Sequence, residues 1–461
     1  MIALALYIII SLYMGKKNPI FYLILPFALQ QGEAAFINQN IAIGGKNILS
    51  PYATVFKDVL FFMMFMMAVF LFKARLKTIT WVGSVLIHLF LIYVLLLWIS
   101  SFLSYPDTNE VFLTGRQIVY ISLSYYLWVA IFQSVTREQY EAFLRLIFYV
   151  TPVSTILYIL NSSGKVHLFD ASLIFQEVDF GTTSFLRDFR TIPIWLIPMM
   201  VLAILSLITD TIKIRQSVIV ANLLILPFGL LFTFTRSLLF IVLMQSVYLF
   251  FLFSFNISFK LVRNIAMFVV ILSISFFAIK IIYPGPIGYF TERLTSAKTE
   301  GKGEQNVNVR LEYYNEATKI INNENPFIGV GMDRKHYQQM DAVGAWIADS
   351  TIPYYLVHTG WIGVFLLFGI VLFFFIDSFF LFLKTKDWLT AYLSGFFLTV
   401  FISSLIMGGE VLTGSAWTLM NFALYSVVKY DRWKEPEPET EELEEEFSHE
   451  PLTRAASGHA Q

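Results

Sequence analysis

The chain has 461 residues, of which 57% are hydrophobic and 14% charged, where soluble domains carry roughly 25% charged residues. Recurrent long apolar runs and 47 phenylalanines exclude a soluble globular fold and point to an integral membrane protein. The net charge of −1 hides an asymmetry: nine glutamates lie between Glu435 and Glu450, and without residues 435–461 the remainder carries 31 basic against 24 acidic side chains. Local charge therefore says more than the total. The absence of cysteine excludes disulfides, thiol catalysis and cysteine-type metal sites.

In chain order, apolar runs predict spans near 1–14, 19–31, 54–72, 79–103, 111–132, 143–160, 192–209, 217–234, 237–255, 264–283, 352–382, 388–407 and 411–429. The first two are short and together make either two spans or one re-entrant hairpin. The expected fold is an all-α polytopic membrane protein of about 12–13 transmembrane helices, with one large external loop containing short helices. Met1 to Tyr13 lacks a basic n-region and a small-residue cleavage site, so it reads as part of the mature protein rather than a signal peptide.

Lysine and arginine recur in alternate loops: Lys16 and Lys17; Lys73, Arg75 and Lys77; Arg137 and Arg145; Lys213 and Arg215; Lys260 and Arg263; Lys384 and Lys386; Lys429, Arg432 and Lys434. The positive-inside rule assigns this set to the cytoplasm. Four regions follow: transmembrane helices over 1–283 with a smaller external loop at 161–190, a large external loop at 284–351 carrying the site, C-terminal transmembrane helices over 352–430, and an acidic tail at 431–461. The tail has too little apolar content to fold and reads as disordered and cytoplasmic.

The external side collects Arg187, Arg190, Arg236, Arg293, Arg310 and Arg334. Arg236 lies between apolar stretches, beside the hydroxyls of Thr235 and Ser237. A charge there is costly unless it snorkels or meets a cavity, interface or anion. Arg310 opens a helix-like run to Asn322, with Leu311, Tyr314, Ala317, Thr318 and Ile321 on one stripe. It is either a solvated surface residue or, since a first-turn arginine opposes the helix dipole, a ligand for an external anion. Asn325-Pro-Phe-Ile-Gly-Val-Gly331 is a turn defined by its backbone, with Gly329 and Gly331 supplying positive φ or close approach. Asp349 before Ser350 and Thr351 reads as a helix N-cap, as a carboxylate at the mouth of a membrane cavity, or as both. His336 and His358 are isolated histidines that either pack or bind substrate. No His/Asp/Glu spacing suits a metal, so neither a metal nor another cofactor is expected.

These elements resemble the O-antigen ligase/polymerase superfamily of bacterial glycan-assembling membrane enzymes. The resemblance covers most of the chain in topology and is specific mainly over 228–363. It rests on Thr235-Arg236-Ser237 at an outer helix break, Arg310 opening an external amphipathic helix followed by Ala317, the complete Asn325–Gly331 turn, then Asp349-Ser350-Thr351 and Gly360-Trp-Ile-Gly363. Arg187 or Arg190 matches an arginine of the smaller external loop. Where the family usually has histidine, this chain has Asp349. Histidine with a pKa of about 6.5 suits proton abstraction at neutral pH, whereas aspartate at about 3.9 is weakly basic unless burial raises it.

The resemblance implies polymerisation of polyprenyl-diphosphate-linked oligosaccharide repeat units on the external face of the bacterial inner membrane. Asp349, Arg310 and Arg236 would be catalytic, and Arg187, Arg190, Arg293, Tyr314, Arg334, His336 and His358 would bind substrate. The implied partners are the lipid-linked oligosaccharide, the bilayer, and a chain-length regulator or flippase, with no nucleic acid. Two other readings remain open: ligase-type transfer to a separate acceptor, and a transporter or flippase of lipid-linked sugars. Against transport, the halves show no internal repeat and no paired broken helices.

Overall fold

The computed structural model describes residues 14, 23, 42–43, 46–47, 82–106, 108, 111–112, 115, 125–162, 176–179, 184–187, 193–209, 213–232, 236–254, 259–282, 288, 305–332, 351–406 and 416–430. Ten helices are labelled here: α1 (Val82–Ser104), α2 (Arg137–Ser162), α3 (Pro193–Thr209), α4 (Gln216–Phe232), α5 (Arg236–Ser254), α6 (Phe259–Ile282), α7 (Gln305–Asn323), α8 (Thr351–Thr385), α9 (Trp388–Ile406) and α10 (Ala416–Lys429). Two short antiparallel hairpins accompany them: β1 (Ala42–Ile43) with β2 (Lys46–Asn47), and β3 (Gln176–Asp179) with β4 (Ser184–Arg187). Among the described residues, four helices are long and apolar enough to cross a membrane: α1, α2, α8 and α9. Shorter apolar stretches occur in α3, α4, α5 and α6. The protein is an all-α membrane protein.

The expected spans near 1–14, 19–31 and 54–72 lie almost wholly outside the described residues. Elsewhere most helices follow the apolar runs, with instructive departures. α2 starts at Arg137, six residues before the expected span. Its start is fixed by a reciprocal cap: Thr136 N donates to Gln139 Oε1 at 3.0 Å and Gln139 N to Thr136 Oγ1 at 3.2 Å. This capping box satisfies donors that the helix leaves open. Arg145, read as a loop residue, therefore lies within the helix. The smaller loop at 161–190 contains the β3–β4 hairpin, with Gln176 opposite Arg187.

The core is aromatic. Phe374 of α8 packs edge-on to Phe397 of α9 and Phe422 of α10, with ring centroids 5.3 and 4.6 Å apart. Tyr425 of α10 closes the same cluster against Phe374 and Phe397. α5 joins α9 through Tyr248, whose hydroxyl pairs with Ser394 Oγ at 2.6 Å. Such hydroxyl pairs satisfy polar groups where lipid offers none.

One end of the helical layer is tied by charge. α8 and α9 are joined by Lys386 and Asp387, with Lys386 in the left-handed conformation at φ 53°. Arg137 at the start of α2 donates to Asp387 at 2.7 Å. Lys429 at the end of α10 and the Tyr425 hydroxyl both donate to Asp377 of α8. Arg137 and Lys429, from two of the basic segments, are thus each paired with a carboxylate on or just after α8.

Candidate functional site

α8 is not one continuous span. At Gly360 the backbone turns to φ 60° and ψ −169°, dividing it into two half-helices. This corrects the expected single span over 352–382. In an unbroken helix the Val357 carbonyl would accept from the Trp361 amide four residues on. Here Val330 N donates to Val357 O at 2.8 Å instead. Trp361 N donates to Pro326 O at 3.0 Å, and Ile362 N to Phe327 O at 3.2 Å. The Asn325–Gly331 turn has therefore entered the break and exchanged hydrogen bonds with it. Irregular backbone within a bilayer is tolerated when its polar groups are paired in this way.

The turn is shaped for that fit. Asn325 Oδ1 accepts from the amides of Phe327 and Ile328 at 3.0 and 3.3 Å, and Gly329 N donates to Asn325 O at 2.8 Å. Gly329 and Gly331 have φ of 70° and 82°, as their place in the sequence suggested. Gly329 and Gly360 meet face to face: a Cβ on Gly329 would lie 2.7 Å from Gly360 N, and one on Gly360 2.6 Å from Gly329 N.

α7 leads into the turn and packs on α8, and its Ala317, Ile320 and Ile321 are buried. It begins at Gln305, so Arg310 lies in its second turn, not its first. The dipole argument for an anion at a first-turn arginine is thereby overturned. Asn306, Val307, Asn308 and Val309 are weak helix formers, which hid the true start. Leu311, expected on the apolar stripe, is 56% exposed, while Tyr314 is half-buried.

His358 is fully buried, one turn after Tyr354, whose ring meets it edge-on at 4.7 Å. Its Nδ1 lies 2.7 Å from the Gly331 carbonyl. A carbonyl only accepts, so Nδ1 carries the hydrogen, which in the neutral ring makes Nε2 the acceptor. The turn thus orients the imidazole as well as filling the break.

A third element was not anticipated. α1 lies along the turn and holds it by side chains. The Tyr93 hydroxyl donates to Thr359 O at 2.6 Å and approaches Phe327 O at 3.4 Å. Ser101 Oγ donates to Leu97 O at 2.8 Å and accepts from Met332 N at 2.9 Å. The Tyr105 hydroxyl donates to Val330 O. Tyr93, Leu97, Ser101 and Tyr105 recur every four residues, and that spacing puts them on one helix face. Polar residues on one face of an apolar span were the available signal.

Of the remaining expected site residues, Arg236 is the first residue of α5 and Arg187 ends β4. Asp349, Arg190, Arg293, Arg334 and His336 lie outside the described residues. What the structure joins is α7, the turn, the break and His358. The start of the second half-helix, which when open would attract an anion, is occupied by the carbonyls of Pro326 and Phe327.

Residues 221–376 match the family model described as O-Antigen ligase. The match runs from α4 through most of α8 and includes Arg236, Arg310, the turn, Asp349 and His358. No curated protein matches the chain.

Proposed function

We propose, from a chain whose residues 221–376 match the O-antigen ligase family model, a polymerase that joins polyprenyl-diphosphate-linked oligosaccharide repeat units on the external face of the bacterial inner membrane. The family supports glycan transfer of the ligase/polymerase type on a lipid-linked substrate. The observation that carries the proposal further is the joint itself: α7, bearing Arg310, is fixed to α8 by a turn that fills the break of α8. A break closed by the protein's own backbone suits a fixed reaction site better than alternating access, which uses open broken helices as ion and substrate sites.

In the proposed reaction an acceptor hydroxyl attacks the anomeric carbon of the donor. The bond from that carbon to the diphosphate oxygen breaks, and the diphosphate leaves with the electron pair. Arg310 and Arg236 stabilise the charge that builds on it, since guanidinium groups give forked, permanently charged contacts without a metal. Asp349 takes the hydroxyl proton. Arg187, Arg190, Arg293, Tyr314, Arg334, His336 and His358 would line the donor and acceptor paths. The domain division given above, the cytoplasmic C-terminus and partnership with a chain-length regulator or flippase belong to this proposal.

The ligase description of the matched family favours a second reading, transfer of finished glycan to a separate acceptor. Purified protein in lipid, given lipid-diphosphate oligosaccharide alone with chelator present, separates the two. A product ladder supports the polymerase; transfer only after a separate acceptor is added supports the ligase; no transfer under either condition sinks both. Arg310→Lys and Arg236→Lys keep charge but lose the fork. Each should lower turnover by about 10²–10³-fold, the scale of removing one transition-state donor, with normal insertion. Unimpaired product formation by both would remove the diphosphate clamp.

A further inference from the structure

We infer that Tyr93 and Ser101 of α1 are positioning residues for the transfer reaction, acting through the turn; this rests on the proposed function. α1 lies outside the matched segment, and its one histidine, His88, bonds back to Ser84 of its own helix. Yet the contacts holding the far side of the turn come from it. Tyr93 grips the carbonyl of Thr359 at the break, and Ser101 grips the amide of Met332 at the end of the turn. Between these two grips lies Gly331, whose carbonyl accepts from His358 Nδ1.

These grips fall on backbone atoms, so they fix position rather than recognise side chains. The fit is close: a Cβ on Gly331 would lie 2.5 Å from Ser101 Oγ. Ser101 sits between two partners, donating to its own helix and accepting from the turn, which uses its single hydrogen and one lone pair. Removing either hydroxyl lets the turn shift against the break. The shift reaches α7 and Arg310 on one side of the turn and His358 on the other. Neither Tyr93 nor Ser101 touches the reacting atoms in this scheme; both act by holding groups that do. Displacement of about 1 Å in such a site costs on the order of 10²-fold in rate.

The test uses the full chain in lipid with the lipid-diphosphate donor that wild type accepts. Tyr93→Phe and Ser101→Ala should each lower kcat/KM about 10–100-fold, with donor KM raised at least about threefold because Arg310 moves with the turn. A purely structural role would shrink only the active fraction, leaving KM unchanged. Ser101→Thr keeps the hydroxyl and should recover most of the activity lost in Ser101→Ala. Ser104→Ala, whose hydroxyl bonds only to Ser100 O of its own helix among the contacts described, serves as the control. Unchanged donor KM in both variants, or no recovery in Ser101→Thr, overturns the inference while the transfer reading stands. A wild type inactive with every donor and acceptor overturns the transfer reading and the inference together.

Discussion

Gly360→Ala tests the joint between turn and break most directly. A Cβ built on Gly360 would lie 2.3 Å from Phe327 O, 2.4 Å from Phe327 C and 2.6 Å from Gly329 N. All three are backbone atoms, so no side chain can swing away. Carbon contacts settle at about 3.5–4.0 Å, and the turn would have to withdraw by about 1 Å. Withdrawal breaks the bonds from Trp361 N, Ile362 N and Val330 N across the joint, now 3.0, 3.2 and 2.8 Å long. Each buried group left unpaired costs about 1–3 kcal/mol, and alanine at φ 60° adds about 1–3 kcal/mol of strain. The lower end of the total is about 4 kcal/mol, which corresponds to roughly 10³-fold in the equilibrium for undocking. The helices stay inserted, so the loss appears locally. Hydrogen exchange in bilayer discs should show protection lost in peptides covering 326–332 and 359–363, and product formation should fall with it. Gly369→Ala is the matched control in the same helix, because a Cβ there meets nothing within 4 Å. Wild-type protection across both peptides in Gly360→Ala would refute the reasoning.

Asn325→Ala removes the acceptor for two turn amides and should cost about 0.5–2 kcal/mol, read as a lower midpoint of thermal inactivation, whereas Asn325→Asp keeps the acceptor and should stay near wild type. Asp349→Asn separates a cap from a base. Asparagine caps as well as aspartate, so normal insertion with turnover reduced about 10²–10⁴-fold would support chemistry, and full activity would confine Asp349 to capping.

Much of this fold was readable from one property, the length and position of apolar runs. α3, α4 and α5 fall within two residues of the runs that predicted them. The positive φ of Gly329 and Gly331 was also readable, because a proline followed by two spaced glycines leaves the backbone little else to do. The break at Gly360 was not. Glycines are frequent in membrane helices, and Gly363 and Gly369 lie nearby in helical backbone. What distinguishes Gly360 is Phe327 O pressed against it, a tertiary contact 33 residues away. The start of α7 was hidden for the opposite reason: its first turn has weak helix formers, and burial of Ala317, Ile320 and Ile321 decides the helix further along.

The matched segment is a unit of sequence, and the contacts show that it is not a unit of structure. The turn within it is held from one side by α8, inside the match, and from the other by Tyr93 and Ser101 of α1 and by Tyr105 just after it, more than a hundred residues before the match begins. α8 in turn is backed by α9 and α10, which follow the match, through Phe374, Phe397 and Phe422. A buried backbone group left unpaired costs about 1–3 kcal/mol, so the turn keeps its place where each flank offers a partner. Residues 221–376 alone would leave Val330 O without the Tyr105 hydroxyl, Thr359 O without that of Tyr93 and Met332 N without Ser101 Oγ. In the proposed reaction the surrounding helices would therefore act by fixing geometry. Variation in α1 should alter the rate of transfer even where every residue of the matched segment is unchanged.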